Sequence, residues 1–353
     1  MHDIDVSIDG VWGKVPALHL DNRDVVSTGR VFKLASINAE EWQSEEIACP
    51  DDYLRALRDR GVCKLKADLF TFSQHIPNVE PKHPYYFELD SIAVTETTDF
   101  QAWWSSVPQE TRKNVRRAEK RGVTALVVNF LDDSLVQKVV DLNNDSPIRQ
   151  GKSFVHYGKS FEQVKRDQST FFDRSEFVCA FLGDELIGFM KIVYRNKIAS
   201  ILQFLPKASH ADKRPANVLI AKAVERCQAK GIEYLTYGRY RYGNKNDSSL
   251  LQFKMRNGFR EMNVPRYYVP LTPLGRVVLK LSLHRGLLGL LPNEVIRGGV
   301  QFRTWLYGLR SSISRRCSST VERSNSNRLM ECSIPPAGST AESHTPTTYP
   351  PQK

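Results

Sequence analysis

The chain has 353 residues, enough for two domains or for one large domain with appendages. Its charged and hydrophobic fractions are those of an ordinary globular protein. The sequence has no run of 18 apolar residues and no basic stretch followed by an apolar one at its start, which argues against an integral membrane segment and predicts a cytoplasmic protein. No Cys/His cluster has zinc-ligand spacing, so no metal is predicted. The net charge of +11 favours anionic partners, with solubility alone as the alternative reading.

Residues 1–95 give weak secondary-structure signals. A short helix is predicted at 51–62, where Leu54, Ala56 and Leu57 share one side. Strands are predicted at 64–72 and 85–94, with a Pro-rich loop between them. We treat this part as an N-terminal α+β region.

The pattern becomes sharper from Asp99 onward. The predicted elements are helices at 99–107 and 108–122, a strand at 123–130, helices at 132–143 and 160–172, three strands at 176–183, 185–195 and 197–206, a helix at 216–230, a strand at 232–238, a helix at 248–256 and a strand at 259–271. This order predicts an α/β (α+β) protein in which a mixed sheet carries helices on both faces.

The C-terminal part divides at about residue 310. Residues 273–310 are predicted to be helical, and the basic and apolar stretch 275–291 could pack on its own domain or lie on a membrane surface. Packing is the favoured of these two readings. Residues 311–353 are rich in Ser, Thr, Pro and Arg and are predicted to be disordered, because they cannot bury enough apolar surface to offset the entropy of ordering.

Three stretches together resemble FemAB-like proteins, a branch of the GNAT acyltransferase superfamily, with the nearest likeness to an uncharacterised bacterial subgroup. They are 103–123, with Trp103 before a helix of the form R-x-x-[IV]-R-x-A-x-K-x-G-V; 217–238, a helix and a strand; and 249–271, with an F-K-x-x-x-G-F helix end. The resemblance covers about 90–272. It implies a GNAT-like domain at 96–272, preceded by a region too short for a complete second copy, which would be a degenerate half.

The resemblance also implies an N-acyltransferase. In the best-known relatives the donor is aminoacyl-tRNA and the acceptor is a peptidoglycan precursor, whereas other relatives use acyl-CoA or an acyl carrier. We therefore expect transfer from a phosphate-bearing donor to an amine, in a small molecule or in a cell-envelope or nucleotide-linked precursor. No permanently bound cofactor is expected, with acyl-CoA or aminoacyl-tRNA as co-substrate. The sequence shows no G-x-S-x-G nucleophile motif, which suits direct attack by an amine.

Two alternatives stay open. The domain could be a non-catalytic GNAT-like module that binds RNA, tRNA or nucleotides, or it could be a peripheral enzyme acting on lipid-linked material through 275–291.

The donor site is predicted at the start of helix 216–230. Acyl-CoA users of the superfamily carry a Gly-rich turn there, but 209–223 contains no glycine. Lys213 and Arg214 precede Pro215, so phosphate binding by the helix N-terminus and these two cations is the hypothesis, with His210 and Asn217 as further donors. The alternative is a solvated charged loop.

A second cationic cluster lies on helix 108–122. Arg112, Arg116 and Lys120 are four residues apart and share a face, where like charges repel and do not stabilise the helix. This arrangement favours anion binding, with Arg112 and Arg116 as phosphate ligands, over a plain solvated surface.

The remaining candidates have side chains suited to chemistry at the reacting atoms. Lys254 matches the Lys of the family's F-K pair, and the resemblance implies that it stabilises developing negative charge; a surface Lys is the alternative. The other proposed roles are those of a base or polar catalytic group (His156, Tyr240) and of acceptor ligands (Arg149, Gln150, Tyr157, Arg239). For His156 the alternative is a loop histidine whose hydrogen bonds are satisfied within the protein.

Overall fold

In the computed structural model, residues 2–8, 11–43, 45–59, 65–129, 132–149, 152–241 and 248–285 are described. The N-terminal region contains more strands than its sequence predicts. Its elements are β1 (His2–Ile8), β2 (Val11–Leu20), β3 (Arg23–Thr28), β4 (Leu34–Ile37), α1 (Pro50–Arg58), β5 (Leu69–Ser73) and β6 (Phe87–Glu96). The predicted helix and the two predicted strands are present, but β1 to β4 had no predicted counterpart.

From residue 97 onward the elements follow the predicted order. They are α2 (Phe100–Ser106), α3 (Gln109–Lys120), β7 (Val123–Val128), α4 (Asp133–Asn143), the short pair β8 (Ile148–Arg149) and β9 (Lys152–Ser153), α5 (Phe161–Gln168), β10 (Ser175–Leu182), β11 (Glu185–Arg195), β12 (Ile198–Pro206), α6 (Pro215–Ala229), β13 (Tyr234–Arg239), α7 (Ser249–Arg256), β14 (Arg260–Pro270) and α8 (Pro273–Lys280).

Side-chain caps explain where several helices begin. Asp99 accepts hydrogen bonds from the first backbone N–H groups of α2, and Asp132 does the same for α4. Ser160 and Gln163 form a reciprocal capping box at α5. Pro215 occupies the first turn of α6, where no backbone donor is needed. These local signals account for the agreement between prediction and structure in this half of the chain.

One twelve-stranded mixed sheet joins both halves of the chain. Its strand order is β1-β2-β3-β4-β5-β14-β6-β13-β12-β11-β10-β7. Two pairs are parallel, β4 with β5 and β12 with β13, and the other neighbours in the sheet are antiparallel. The predicted fold class, a mixed sheet with helices on both faces, is confirmed. The sheet continues across residue 95 because β14 pairs with both β5 and β6; the domain boundaries at 95 and 272 stay predictions.

Strands β10 to β12 bury opposite faces against different helices. Val178 and Ala180 belong to the core beneath α6, whereas Phe177 and Cys179 belong to the core beneath α4 and α5. Gly188 of β11 lets α6 approach closely, since a Cβ at this position would lie 3.0 Å from Leu219 Cδ1 and 3.2 Å from the Cβ of Pro215. The start of α6 is thereby fixed over the sheet.

The C-terminal extension is helical over α8 and has one short helical turn at Leu283–Arg285. The rest of the predicted helical stretch and the predicted disordered tail lie outside the described residues. Of the helices that are described, none combines the length and the apolar character needed to cross a membrane.

Candidate functional site

Strands β12 and β13 pair only over a short distance and then separate. Ile198–Ser200 pair with Tyr234–Thr236. Beyond this point β12 remains paired with β11 as far as Pro206, with a register shift that leaves Leu202 bulged. Strand β13 has its own irregularity between Thr236 and Arg239, where it pairs with β6. Because both strands bend at these irregularities, the sheet opens between them.

Aromatic side chains from three elements fill one face of this opening. Phe204 of β12 contacts Tyr237 of β13 and Phe253 of α7, with ring centroids 5.4 and 5.6 Å apart. Lys254, the residue after Phe253, is fully buried beside them, and its Nζ lies 4.6 Å from the Tyr237 ring centroid.

Lys254 is held at the end of β13. Its Nζ donates a hydrogen bond of 2.6 Å to the backbone oxygen of Arg239. Burial lowers the pKa of Lys254 to about 8. The alternative of a surface lysine is therefore wrong, since the side chain has no accessible area. Its assignment as a catalytic group stays a proposal.

Three further predicted residues lie at the same opening. Arg239 places its guanidinium 3.9 Å from Asp90. Tyr240 donates its backbone N–H to the Ser91 oxygen, and burial raises the pKa of its phenol. Asn217 of α6 donates from Nδ2 to Asn257 Oδ1 at 3.1 Å, which ties the first turn of α6 to the end of α7.

The cations ahead of α6 lie next to acidic side chains. Lys213 Nζ is 3.4 Å from Asp212, and His210 Nε2 is 3.4 Å from Glu185. Arg214 precedes the helix in a left-handed conformation, with φ of 59°. The positive charge at this helix N-terminus is therefore partly neutralised within the protein, and a phosphate would compete with Asp212 for Lys213.

Two basic side chains of α3 make contacts within the protein. Arg112 donates from one nitrogen to the backbone oxygens of Trp104, Ser105 and Val107, which satisfies the end of α2. Arg116 lies over the Trp104 ring, 5.8 Å from its centroid. It lines a groove between α3 and α6 whose walls do not include Lys254 or Lys213. These positions give no geometric support to phosphate binding by Arg112 and Arg116 at the opening.

The opposite face of β12 borders a cavity of about 760 Å³. Gln203 points to this side, where its Oε1 accepts a hydrogen bond of 2.6 Å from Gln168 Nε2 of α5, while Phe204 points to the other. The walls come from the N-terminal region, from the end of α5 and from β12 and β14, and include Trp12, Glu40, Glu41, Trp42, His156, Asp167, Phe171 and Arg266. Sequence reasoning found only His156 among these eight. Arg266 lies in the family-like stretch 249–271 but outside its F-K-x-x-x-G-F motif, and the other six lie in segments without a motif.

Three of the loop candidates are placed on this side of the molecule. His156 Nδ1 is 3.7 Å from Asp167 Oδ2 in the cavity wall. Arg149 is partly buried, donates to the Pro206 oxygen at 2.8 Å and stacks on Phe154, so it fastens the end of β12. Tyr157 is exposed, 47% accessible, and lines a neighbouring smaller cavity. Gln150 lies outside the described residues.

A chain of charges connects the cavity to the end of β13. Arg266 of β14 lies 2.5 Å from Asp90 and 3.0 Å from Glu40. Asp90 also faces Arg239. Glu41 is an exposed residue that lines the cavity. Partial desolvation by the surrounding protein raises its pKa against the opposing effects of Arg266 and Arg195.

A family model matches the central part of the chain. Residues 106–254 match the family model of the acetyltransferase (GNAT) domain. No curated protein matches the chain significantly.

Two solved structures share the fold at low identity. FemX superposes with a TM-score of 0.50 at 11% identity, over 74% of this chain and 89% of that one. A conserved protein of unknown function from Bacteroides thetaiotaomicron VPI-5482 gives a TM-score of 0.50 at 11% identity, over 72% and 85% of the two chains. The resemblance to the FemAB-like branch is thus confirmed at the level of the fold.

Proposed function

We propose that this protein transfers an acyl or aminoacyl group from a phosphate-bearing carrier to the nitrogen of an amine. The observation that carries the proposal is the separation of β12 and β13, which stop pairing after Ser200 and Thr236. One face offers the start of α6 and the aromatic cluster with Lys254, and the other offers the cavity next to Gln203.

In the reaction, a nitrogen–carbon bond forms and the bond from the carbonyl carbon to the sulfur or oxygen of the carrier breaks. The amine loses one proton, and the departing thiolate or alkoxide takes one up. The protein has to orient both reactants and stabilise negative charge on the carbonyl oxygen. Lys254 is proposed to stabilise that charge through its electric field from beneath the opening, because its Nζ is enclosed and bonded to the Arg239 oxygen. No protein nucleophile is required.

The donor is proposed to bind at the N-terminus of α6, with Lys213 and Arg214 as phosphate ligands. Helix N-termini attract phosphate because their backbone N–H groups point outward and the helix dipole is positive there. Acyl-CoA, an acyl carrier and aminoacyl-tRNA share this phosphate chemistry, so the donor is to be found by testing each.

The experiment measures binding of CoA, acyl-CoA and aminoacyl-tRNA by calorimetry, followed by transfer to a panel of amines. Replacing Lys213 and Arg214 together by alanine is expected to weaken donor binding about tenfold or more, in line with the loss of charge-assisted hydrogen bonds. Lys222→Ala is the matched control, because Lys222 lies on the same helix and pairs with Glu225. Equal affinity in the double variant and the wild type would refute the proposed donor site.

The non-catalytic alternative predicts a different result. A module that binds RNA would show strongly salt-dependent affinity for RNA and no transfer with any donor. The engagement of Arg112 by three backbone oxygens takes one cation of α3 away from such a surface.

A further inference from the structure

The cavity on the opposite face of β12 has aromatic walls. Trp42 and Phe171 meet with ring centroids 6.0 Å apart. Trp12 stands near them in the same cavity and donates from its indole nitrogen to Asp167 Oδ1 at 2.7 Å. Aromatic faces attract organic cations through their quadrupole as well as through apolar contact. Two of the rings already have a guanidinium over them, Arg166 at 4.1 Å from the Trp12 centroid and Arg174 at 5.2 Å from that of Phe171. The cavity therefore offers apolar ring surface to a ligand and rings that accept cations.

The cavity is also lined by four carboxylates, and three of them are engaged. Asp167 lies 2.6 Å from Lys159, Glu40 lies 3.0 Å from Arg266, and Asp5 lies 3.2 Å from Arg166. The fourth is Glu41, whose carboxylate makes no hydrogen bond or ion pair with any residue that the structure describes. It is thus available to a ligand.

The cations around Glu41 are occupied elsewhere. Arg266 is shared between Glu40 and Asp90. Arg195 is 7% accessible and donates to the backbone oxygen of Gln43. Arg239 faces Asp90. Two of these guanidinium groups thus face other acidic side chains, and the third is buried with one nitrogen bonded to a backbone oxygen and its Nε without a partner among the described residues. None of the three forms an ion pair with Glu41 in the described residues, although Arg266 and Arg195 act on it electrostatically.

The floor of the cavity supplies an independent observation. Gln168 is 2% accessible, and its Oε1 has no hydrogen-bond partner in the described part of the chain, although its Nε2 is bonded to Gln203. Next to Gln168, the buried Lys191 donates hydrogen bonds from Nζ to the backbone oxygens of Gln168 and Thr170. Gln203 Nε2 beside it also has no partner among the described residues, and both atoms have almost no accessible area. Buried polar atoms without partners are costly, so this pair of amides is a place where a ligand that turned the side chains would gain hydrogen bonds.

We infer that this cavity is the acceptor pocket and that it takes a protonated primary amine with an apolar or aromatic body, whose ammonium group pairs with Glu41 and whose body lies against Trp42, Phe171 and Trp12. The assignment as an acceptor pocket rests on the proposed function, whereas the binding of the amine does not. Leu202 and Gln203 of β12 also border the cavity, so a bound amine lies next to the strand that flanks the opening. Glu41 is a binding and specificity residue in this scheme. The bound ammonium gives one proton to solvent before transfer, because only the neutral amine has the lone pair that attacks the carbonyl carbon.

The test is direct binding without any donor. The probes are 2-phenylethylamine and its uncharged analogue 2-phenylethanol, titrated into the full-length protein by calorimetry and by tryptophan fluorescence. The amine is expected to bind at least tenfold more tightly than the alcohol. Glu41→Gln is expected to remove that preference, and Trp42→Leu is expected to weaken both probes.

Glu45→Gln is the matched control, because Glu45 is an exposed carboxylate on the same segment and does not line this cavity. It should behave as the wild type. Equal binding of amine and alcohol by the wild type, or an unchanged preference in Glu41→Gln, would overturn the inference. A similar loss in Glu45→Gln would also overturn it, since it would indicate a general charge effect.

The result is separable from the proposed function. If the amine binds through Glu41 but no donor gives transfer, the pocket stands and the transferase proposal fails. If transfer occurs but binding of the amine does not depend on Glu41, the transferase proposal stands and the acceptor binds elsewhere.

Discussion

At the scale of single residues, burial and hydrogen-bond partners distinguish candidate residues that are alike in residue type. Lys254 is wholly enclosed and holds the end of β13, whereas Arg112 serves the end of α2 and Arg149 fastens β12. All three are basic residues in a basic protein, and sequence spacing does not distinguish their tasks. The tasks differ because each side chain meets a different set of backbone oxygens.

Lys254 should make the stability of the fold depend on pH in the alkaline range. Its pKa is lowered from 10.5 to about 8, so the unfolded chain binds more protons than the native one between these values. Stability contributed by this residue therefore rises as the pH increases from about 8 toward 10.5, by about 3 kcal/mol at most. In Lys254→Met that rise should disappear, as measured by urea unfolding at pH 7.5, 9 and 10.

The control for this prediction is Lys280→Met, because Lys280 is exposed on α8. It should keep the alkaline rise of the wild type. Lys191, which burial also gives a lowered pKa of about 7, contributes equally to all three proteins and cancels in the comparison. An identical pH profile for Lys254→Met and the wild type would contradict the prediction.

At the scale of elements, the position of α6 determines where the proposed donor site lies. Gly188 sets its distance from β11 at one end. At the other end Glu176 of β10 accepts hydrogen bonds from Arg226 Nε and Nη2, at 2.8 and 2.6 Å, and from Lys230 at 3.0 Å. Two distant contacts thus define the direction in which the N-terminus of α6 points.

Removing the carboxylate at Glu176 should destabilise the fold. Burial alone would raise the pKa of Glu176, but hydrogen bonds from Arg226, Lys230 and Tyr194 lower it to about 2. Glu176→Gln is expected to cost about 2 kcal/mol at pH 7, at the low end for a buried ion pair because Arg226 is partly exposed. Chemical unfolding of the variant and the wild type measures this difference.

The same pair of proteins gives a signed pH test. Because the folded pKa is depressed, the stabilisation by Glu176 is fully present above pH 4.5 and is lost as the pH falls toward 2. The difference between the two proteins should therefore shrink in acid. The exposed Glu225→Gln, whose partner is Lys222, should change stability by no more than about 0.5 kcal/mol at any pH.

At the scale of the whole molecule, the N-terminal region and the GNAT-like domain share one sheet. Strand β14 lies between β5 and β6, and Tyr267 of β14 stacks on Phe72 of β5 with centroids 4.9 Å apart. Both rings are buried. The acceptor cavity also takes its walls from both parts. The N-terminal region is therefore an integral part of the fold and of the candidate site.

Removal of this region should prevent folding of the remainder. A chain that begins at Phe87 would expose Tyr267 and the edge of β14, which is a surface prone to strand pairing with other chains. We expect it to be insoluble or to lack a cooperative unfolding transition by circular dichroism. A chain that begins at Val11 lacks only β1, which pairs with β2 at the outer edge, and should stay soluble. A soluble, cooperative chain from Phe87 would contradict this expectation.

Much of the fold was determined by the sequence alone. From Asp99 to Leu271 the caps, the glycines and the apolar periodicity are local signals, and the elements that they predict are present in the predicted order. The GNAT-like fold followed from the same stretches. Strands β1 to β4 were not predicted because their stability depends on pairing with one another and with β5.

The tertiary structure alone decided which residues can act together. Glu41, Phe171 and Trp12 meet in one cavity although 130 residues separate the first two, and Lys254 is buried although its sequence also fits a surface helix. Local patterns encode the conformation of a segment, but a cavity is formed by side chains whose nearness depends on how the whole chain closes. For this reason the fold could be predicted before the candidate site could be located.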